Sequence, residues 1–192
     1  MSAVGVFGGT FDPIHLGHLI TAASVREIRN LEKIIFIPAF TSPHKTDIKS
    51  SGGKDRLEMV KLAVECTAYF EVCDYEIKNE GISFTIDTLR MLKEKYSEIE
   101  LIIGYDNLIK FSSWKQPDDI LKLAKLVVLN RKVKDEPDEK DVYYKSAFFV
   151  DTLLVEISAS GLREKVRTGG SIDFLVPEKV KQYIYDLKLF KD

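Results

Sequence analysis

Short apolar runs alternate along the chain with longer amphipathic ones. Val4–Phe7 reads as a first strand stopped by Gly8-Gly9, and Leu19–Asn30 carries Leu19, Ala22, Ala23, Val25 and Ile28 at helical spacing. Lys33–Pro38 predicts a second strand. Lys54–Thr67, opened by a Ser-Ser-Gly-Gly turn, groups Leu57, Val60, Leu62, Ala63 and Val64 as a helix does. Phe70–Tyr75, with a stretch near Ile77, predicts a third strand, Phe84–Tyr96 a helix and Glu100–Ile103 a strand. Asp118–Leu123 follows as a short helix, Lys125–Asn130 as a strand and Ala147–Val155 as extended chain, before closing helices over Ser160–Thr168 and Pro177–Tyr185.

Strands of four to six residues alternating with helices predict an α/β fold, a doubly wound parallel sheet, because parallel neighbours need a crossover that a helix supplies. Residues 1–192 are expected to form one domain, with a small C-terminal helical portion from about 158. Ligands of such sheets bind beyond the carboxyl ends of the strands, so chemistry is expected in the loops after Phe7, Pro38, Ile103 and Ile157. All three histidines, His15, His18 and His44, fall in two of those loops.

Composition narrows the partners. The chain has 192 residues, 45% of them hydrophobic, enough to build a core of its own. Its 28 Lys and Arg against 30 Asp and Glu leave a net charge of −2, which argues against the broad basic footprint of a nucleic-acid-binding protein. The longest apolar runs, such as Ile34–Ile37 and Leu126–Leu129, fall far short of the roughly 18 residues a membrane span needs, so no membrane association is expected. Met1-Ser2-Ala3 lacks the basic and apolar regions of a signal peptide, which points to the cytoplasm. Cys66 and Cys73 fit neither a metal cluster nor a disulfide framework and read as buried or half-buried free thiols. Lys132–Lys140, with seven charges in nine residues, reads as an exposed loop.

Gly8-Gly9-Thr10-Phe11-Asp12-Pro13-Ile14-His15-Leu16-Gly17-His18 is the most informative segment. Two glycines after a strand let a ligand approach the backbone, and their amides with a following helix N-terminus make an anion site. His15 and His18, three apart, would point from one helix face toward the same ligand, with Gly17 keeping side-chain bulk out of the way; a loop with two hydrogen-bonded histidines and a zinc site of both histidines and Asp12 are the alternatives. Ser158 and Ser160 precede a predicted helix, where their hydroxyls and the free amides suit phosphate, and either could equally be a plain N-cap. Arg163 offers a fork of donors that a lysine cannot copy. His44 and Lys45, after Pro43, form a cationic pair suited to phosphate, or an exposed basic loop.

At these residues the chain resembles the nucleotidylyltransferase superfamily, with its His-x-Gly-His core. Within it, the chain is similar to the bacterial nicotinate mononucleotide adenylyltransferases, whose loop reads Gly-Gly-Thr-Phe-Asp-Pro-x-His-x-Gly-His. Pro43-His44-Lys45, Ser83–Leu89, Ile103–Asn107 with Trp114-Lys115, Ile157–Arg163 and the tail around Val176–Ile184 carry the likeness across nearly the whole chain. The resemblance implies a Rossmann-like nucleotidylyltransferase fold and transfer of the AMP moiety of ATP to nicotinate mononucleotide, with Mg²⁺ carried by the nucleotide and no metal site in the protein. It implies that Gly8, Gly9, Thr10 and Phe11 cradle ATP phosphates, that His15, His18 and Arg163 are catalytic, and that Ser158 and Ser160 hold the outer phosphates. Asp106 would bind ribose, Trp114 would stack on the pyridine ring, Thr85 would help seat its carboxylate, and His44 and Lys45 would meet the acceptor. Phe11 and Trp114 each have a core-packing alternative.

Ala159, Ser160 and Leu162 depart from the family's usual Ile-Ser-Ser-Thr-x-Ile-Arg, and Ala159 removes one hydroxyl. Tyr105 replaces a small residue and is expected to crowd the pocket or turn outward. Phosphopantetheine adenylyl transfer and a non-catalytic nucleotide sensor stand as alternatives, and a homo-oligomer is left open.

Overall fold

A computed structural model of the chain describes residues 3–43, 50–129, 142–153 and 155–191. The first half runs β1 (Val4–Gly9), α1 (Leu16–Ile28), β2 (Ile34–Pro38), α2 (Gly53–Val64), β3 (Phe70–Val72), α3 (Tyr75–Asn79) and α4 (Thr85–Lys93). There follow β4 (Ile99–Gly104), α5 (Tyr105–Ile109), α6 (Pro117–Leu123), β5 (Lys125–Leu129), α7 (Val142–Lys145), β6 (Ala147–Val150), α8 (Ala159–Arg167) and α9 (Glu178–Asp186). The six strands form one sheet in the order β3-β2-β1-β4-β5-β6, with every pairing parallel. The chain moves outward from β1 to one edge, returns, and moves out to the other, so the doubly wound expectation holds.

Alternation along the strands feeds two apolar layers. Phe7, Ile34, Phe36, Ile102, Val127 and Leu129 pack with α1, α2, α8 and α9, while Val4, Val6, Ile35, Ile37, Leu101, Ile103 and Val128 pack with α4, α5 and α6. Each such fully buried side chain contributes about 1.5–3 kcal/mol, which is why these strands read as continuous hydrophobic runs. Gly5 sits where a Cβ would lie 2.5 Å from Ile34 Cδ1, so the central strand needs a residue without a side chain there. Glu100 is the one strand carboxylate buried in this sheet among the described residues, and Arg29 at the end of α1 meets it with two hydrogen bonds of 2.8 and 2.9 Å. That bond raises the Arg29 pKa, against the opposing effect of burial.

Several boundaries differ from the sequence reading. β1 extends through Gly9 rather than ending at Phe7, and α1 starts at Leu16, three residues early. The stretch around Ile77, expected as strand, is helix α3. Helices α5 and α7 have no counterpart in the hydrophobic pattern. Cys66, expected to be buried or half-buried, is exposed, just past the end of α2. Residues 132–140, read as a loop, and His44 and Lys45 lie outside the described residues. No described helix is long and apolar enough to cross a membrane.

Candidate active site

The carboxyl ends of β1 and β4 open onto two adjoining pockets, which share Phe7, Gly8, Gly9, Thr10, Ser42, Gly104 and Asn107. One, of about 580 Å³, is lined by Asp12, His15, His18, Asp106, Ser158, Ser160 and Arg163. The other, of about 210 Å³, is lined by Ser83, Phe84, Thr85, Thr88, Trp114, Lys115 and Glu76. Gly8 lines both, and a Cβ built there meets nothing within 4 Å, so at this position the backbone itself faces open space.

His15 is the N-cap of α1 and His18 its third helical residue. The His15 amide donates to His18 Nδ1 at 3.3 Å, and the two rings stack at 3.7 Å between centroids. A backbone-bonded Nδ1 is an acceptor, so the neutral His18 ring carries its hydrogen on Nε2. At Gly17 a Cβ would lie 3.0 Å from His15 Nδ1, so this glycine protects the stack. Phe11, 3% exposed, packs its ring edge-on against Phe7, His18 and Phe36 and thus buttresses the histidine from the core side. Its φ of 49° lies in the left-handed region, an unusual cost for an aromatic residue that the surrounding packing sustains.

Across the large pocket, Ser158 caps α8 by accepting from the Gly161 amide at 3.1 Å, and Ser160 Oγ lies 3.4 Å from Ser158 Oγ. The capping reading is therefore correct for Ser158, and it leaves this hydroxyl at the pocket wall among the first amides of the helix. Arg163, one turn on, donates from Nη1 to the Asp12 carbonyl at 2.7 Å and lies 3.9 Å from Asp12 Oδ2. This contact links the first and last motifs directly. Asp106, in the first turn of α5, is exposed at the same pocket. Tyr105 takes neither expected course: it is 4% exposed and packs into the core beneath α4, α5 and α6, lining neither pocket.

In the small pocket Trp114 is half-buried, with its ring 5.1 Å from that of Phe111, so it is at once a packed residue and a pocket wall. Thr85 begins α4 and lines the same space. The Phe40 amide donates to Ser83 Oγ at 2.9 Å, and the Ser83 amide to the Thr41 carbonyl at 2.9 Å, which ties the loop after β2 to the entrance of α4.

Arg56 and Glu76 escaped the sequence reading, and Asp12, inside the Gly8–His18 segment, entered it only as the third ligand of an alternative zinc site. Arg56 on α2 is 1% exposed and bonds the carbonyls of Thr10, Ala39, Phe40 and Ser51, so one guanidinium fixes the loops after β1 and β2. Burial lowers its pKa, opposed by the Asp12 and Asp55 carboxylates. Asp12, 3% exposed, accepts from the Ser51 amide at Oδ2 and has no hydrogen-bond partner for Oδ1 among the described residues. Glu76, bonded by Thr88 Oγ1 at 2.6 Å, has its carboxyl pushed up by burial. A charged residue in a helical pattern normally reads as a solvated face, so neither Arg56 nor Glu76 carried a signal.

A cytidylyltransferase-like family model matches residues 6–165, from β1 into α8. Among curated relatives, a protein of Clostridium perfringens (strain 13 / Type A) named a probable nicotinate-nucleotide adenylyltransferase is 40% identical, over 100% of this chain and 99% of its own length. A protein of the same name from Caldicellulosiruptor saccharolyticus is 35% identical over 98% of this chain and 99% of its own. The Plasmodium falciparum nicotinic acid mononucleotide adenylyltransferase complexed with NaAD has the same fold, with a TM-score of 0.79 at 16% identity over 99% of this chain and 98% of that one. The site is thus that of a nucleotidyltransferase. More narrowly, the chain belongs to the cytidylyltransferase-like family, in its nicotinate-nucleotide adenylyltransferase branch.

Proposed function

We propose that the enzyme joins nicotinate mononucleotide to the AMP moiety of ATP, giving nicotinate adenine dinucleotide and pyrophosphate in NAD biosynthesis, in the cytoplasm. The observation that carries this reading is the pair of adjoining pockets, one lined with phosphate-type donors and the other with an aromatic wall, with the open Gly8 backbone common to both. An acceptor phosphate oxygen would enter from the small pocket and attack the α-phosphorus held at the large one. The new P–O bond forms as the α–β bridge breaks, and the electron pair leaves with pyrophosphate. No side-chain nucleophile is required, so catalysis rests on positioning and charge neutralisation.

In this reading the Gly8–Phe11 amides cradle the phosphates, and His18, donating from Nε2, works with His15 on the oxygens that gain charge. Ser158, Ser160 and the open amides of α8 take the outer phosphates, and Arg163 follows the departing pyrophosphate with the donors that Asp12 does not use. Asp106 accepts from ribose hydroxyls, Trp114 stacks on the pyridine ring and Thr85 borders it. His44 and Lys45, outside the described residues, belong to the loop that would meet the acceptor's phosphate.

Mg²⁺ fits as an ion brought by the nucleotide. Asp12 is the group at the phosphate pocket that would hold it, through a buried oxygen with no hydrogen-bond partner among the described residues. When bound, the ion neutralises phosphate charge and orients the leaving group.

Pyrophosphate release with Mg-ATP tests the reading, with nicotinate mononucleotide, nicotinamide mononucleotide and phosphopantetheine compared at one enzyme concentration. Strong preference for the nicotinate compound is expected. Turnover of phosphopantetheine alone, or of none of the three by folded protein, would overturn it.

A further inference from the structure

The small pocket has only two charged side chains among the described residues that line it, Glu76 and Lys115. Lys115 is held on both sides: its Nζ lies 4.3 Å from the centroid of the Phe84 ring and donates to Asp87 Oδ2 at 3.0 Å. Phe84 lines the same pocket, and Trp114, the proposed ring platform, is the preceding residue. The ammonium therefore lies beside the Phe84 face, at the edge of the space where a pyridine ring would lie.

Its charge is only partly answered. Asp87 is shared with Arg90, whose Nη1 approaches Oδ1 at 3.6 Å, and the Lys115–Asp87 pair is close to half-exposed, where such pairs bind weakly. An ammonium has three donors, and the bond to Asp87 uses one. The acid of the pocket is differently placed. Glu76 is turned to Thr88 Oγ1 and Ser83, and burial disfavours its charged form. The pocket thus presents a cation at its rim and a protein-bonded carboxyl in its wall, an arrangement that favours a ligand carrying a negative group on its ring over the same ligand with a neutral one.

We infer that Lys115 is a specificity-determining residue, whose ammonium, held by Phe84 and Asp87, selects a carboxylate over a carboxamide on the acceptor's pyridine ring. This rests on the proposed function. Opposed charges at a half-exposed rim act on ground state and transition state alike, so the effect falls on KM more than on kcat.

The experiment measures kcat and KM for nicotinate and nicotinamide mononucleotides with the wild-type enzyme, Lys115→Met and Lys115→Arg. Methionine keeps an apolar stem over Phe84 and removes the charge, whereas arginine keeps the charge. In Lys115→Met the acid-over-amide ratio of kcat/KM is expected to fall about tenfold, through the KM of the acid, and to lose its dependence on ionic strength. Lys115→Arg is expected to retain most of the ratio. An unchanged ratio in Lys115→Met, or an equal loss for both acceptors, overturns the inference while leaving the proposed reaction standing. A wild-type enzyme that uses neither mononucleotide overturns both.

Discussion

His18 holds its Nδ1 against the His15 amide, so the donor it can offer a phosphate is Nε2. Removing that donor while leaving the backbone cradle intact tests the electrostatic assignment: His18→Ala is expected to lower kcat/KM by about 100-fold, the usual cost of losing one preorganised stabiliser. Steady-state pyrophosphate release measures it, and an unchanged rate would remove His18 from the mechanism. Glu76 allows a test by pH. Burial raises its folded pKa above the usual carboxylate value, so the proton-linked stability it contributes is present below that usual value and is lost as pH rises through the raised one. Glu76→Gln is therefore expected to melt higher relative to wild type at neutral pH than near pH 4, in paired thermal melts; a difference independent of pH would mean that the carboxyl is unperturbed. His15, His18, Ser158 and Arg163, singled out in the sequence as candidates for phosphate binding because glycines, histidines and capping serines at strand ends carry a local signal, line one pocket. Arg56 and Glu76 announced nothing. What makes them matter is the set of carbonyls and hydroxyls that tertiary folding brings to them.

At the scale of elements, α2 reaches the loops of the site through Arg56. Its guanidinium satisfies carbonyls at the ends of β1 and β2, including Thr10 at 3.0 Å and Phe40 at 2.8 Å. Arg56→Met would fill similar space and leave those carbonyls without their donor, at a cost of about 1–3 kcal/mol for each that water cannot reach. Urea denaturation should show a loss of about 3 kcal/mol in stability, with KM rising for both substrates because both loops share the anchor. A loss of less than about 0.5 kcal/mol would show that water takes over the role. The same element scale explains where the hydrophobic pattern misled. Leu16, Gly17 and His18 lack a helical repeat, and α1 starts there because His15 and His18 cap it reciprocally. Helix α3 has one buried residue, Ile77, in five, too few to distinguish a helix from a strand. Helix α5 is equally short, and Tyr105, expected to crowd the pocket or turn outward, is its inward anchor. Strands β1, β2, β4 and β5 were plain because both their faces are covered, which makes their runs continuous and short.

At the scale of the whole molecule, the question is whether the helical portion from about residue 158 folds with the sheet. Val166 and Leu162 of α8 and Val180 and Ile184 of α9 lie in the same apolar layer as Phe36 of β2 and Met59 of α2. Tyr183 Oη donates to Asp55 of α2 at 3.0 Å, a contact that with burial pushes the tyrosine up to about 12, and the Leu16 amide donates to the Leu175 carbonyl at 2.9 Å. Exposing either side of that layer would strip the other of its covering, so the chain is proposed to unfold as one unit. Far-UV circular dichroism, reporting helices throughout, and the fluorescence of Trp114, the single tryptophan, reporting the small pocket, are expected to give one coincident thermal transition. Because the large pocket takes residues from β1, α1 and α8 together, Mg-ATP should move both signals upward by the same interval, about 2.7 kcal/mol at 100 times its Kd. A helical signal that melts apart from the tryptophan, or a nucleotide shift confined to one of the two, would mean that the last motif docks on an independently folded sheet, and the phosphate pocket would then exist only while that docking holds.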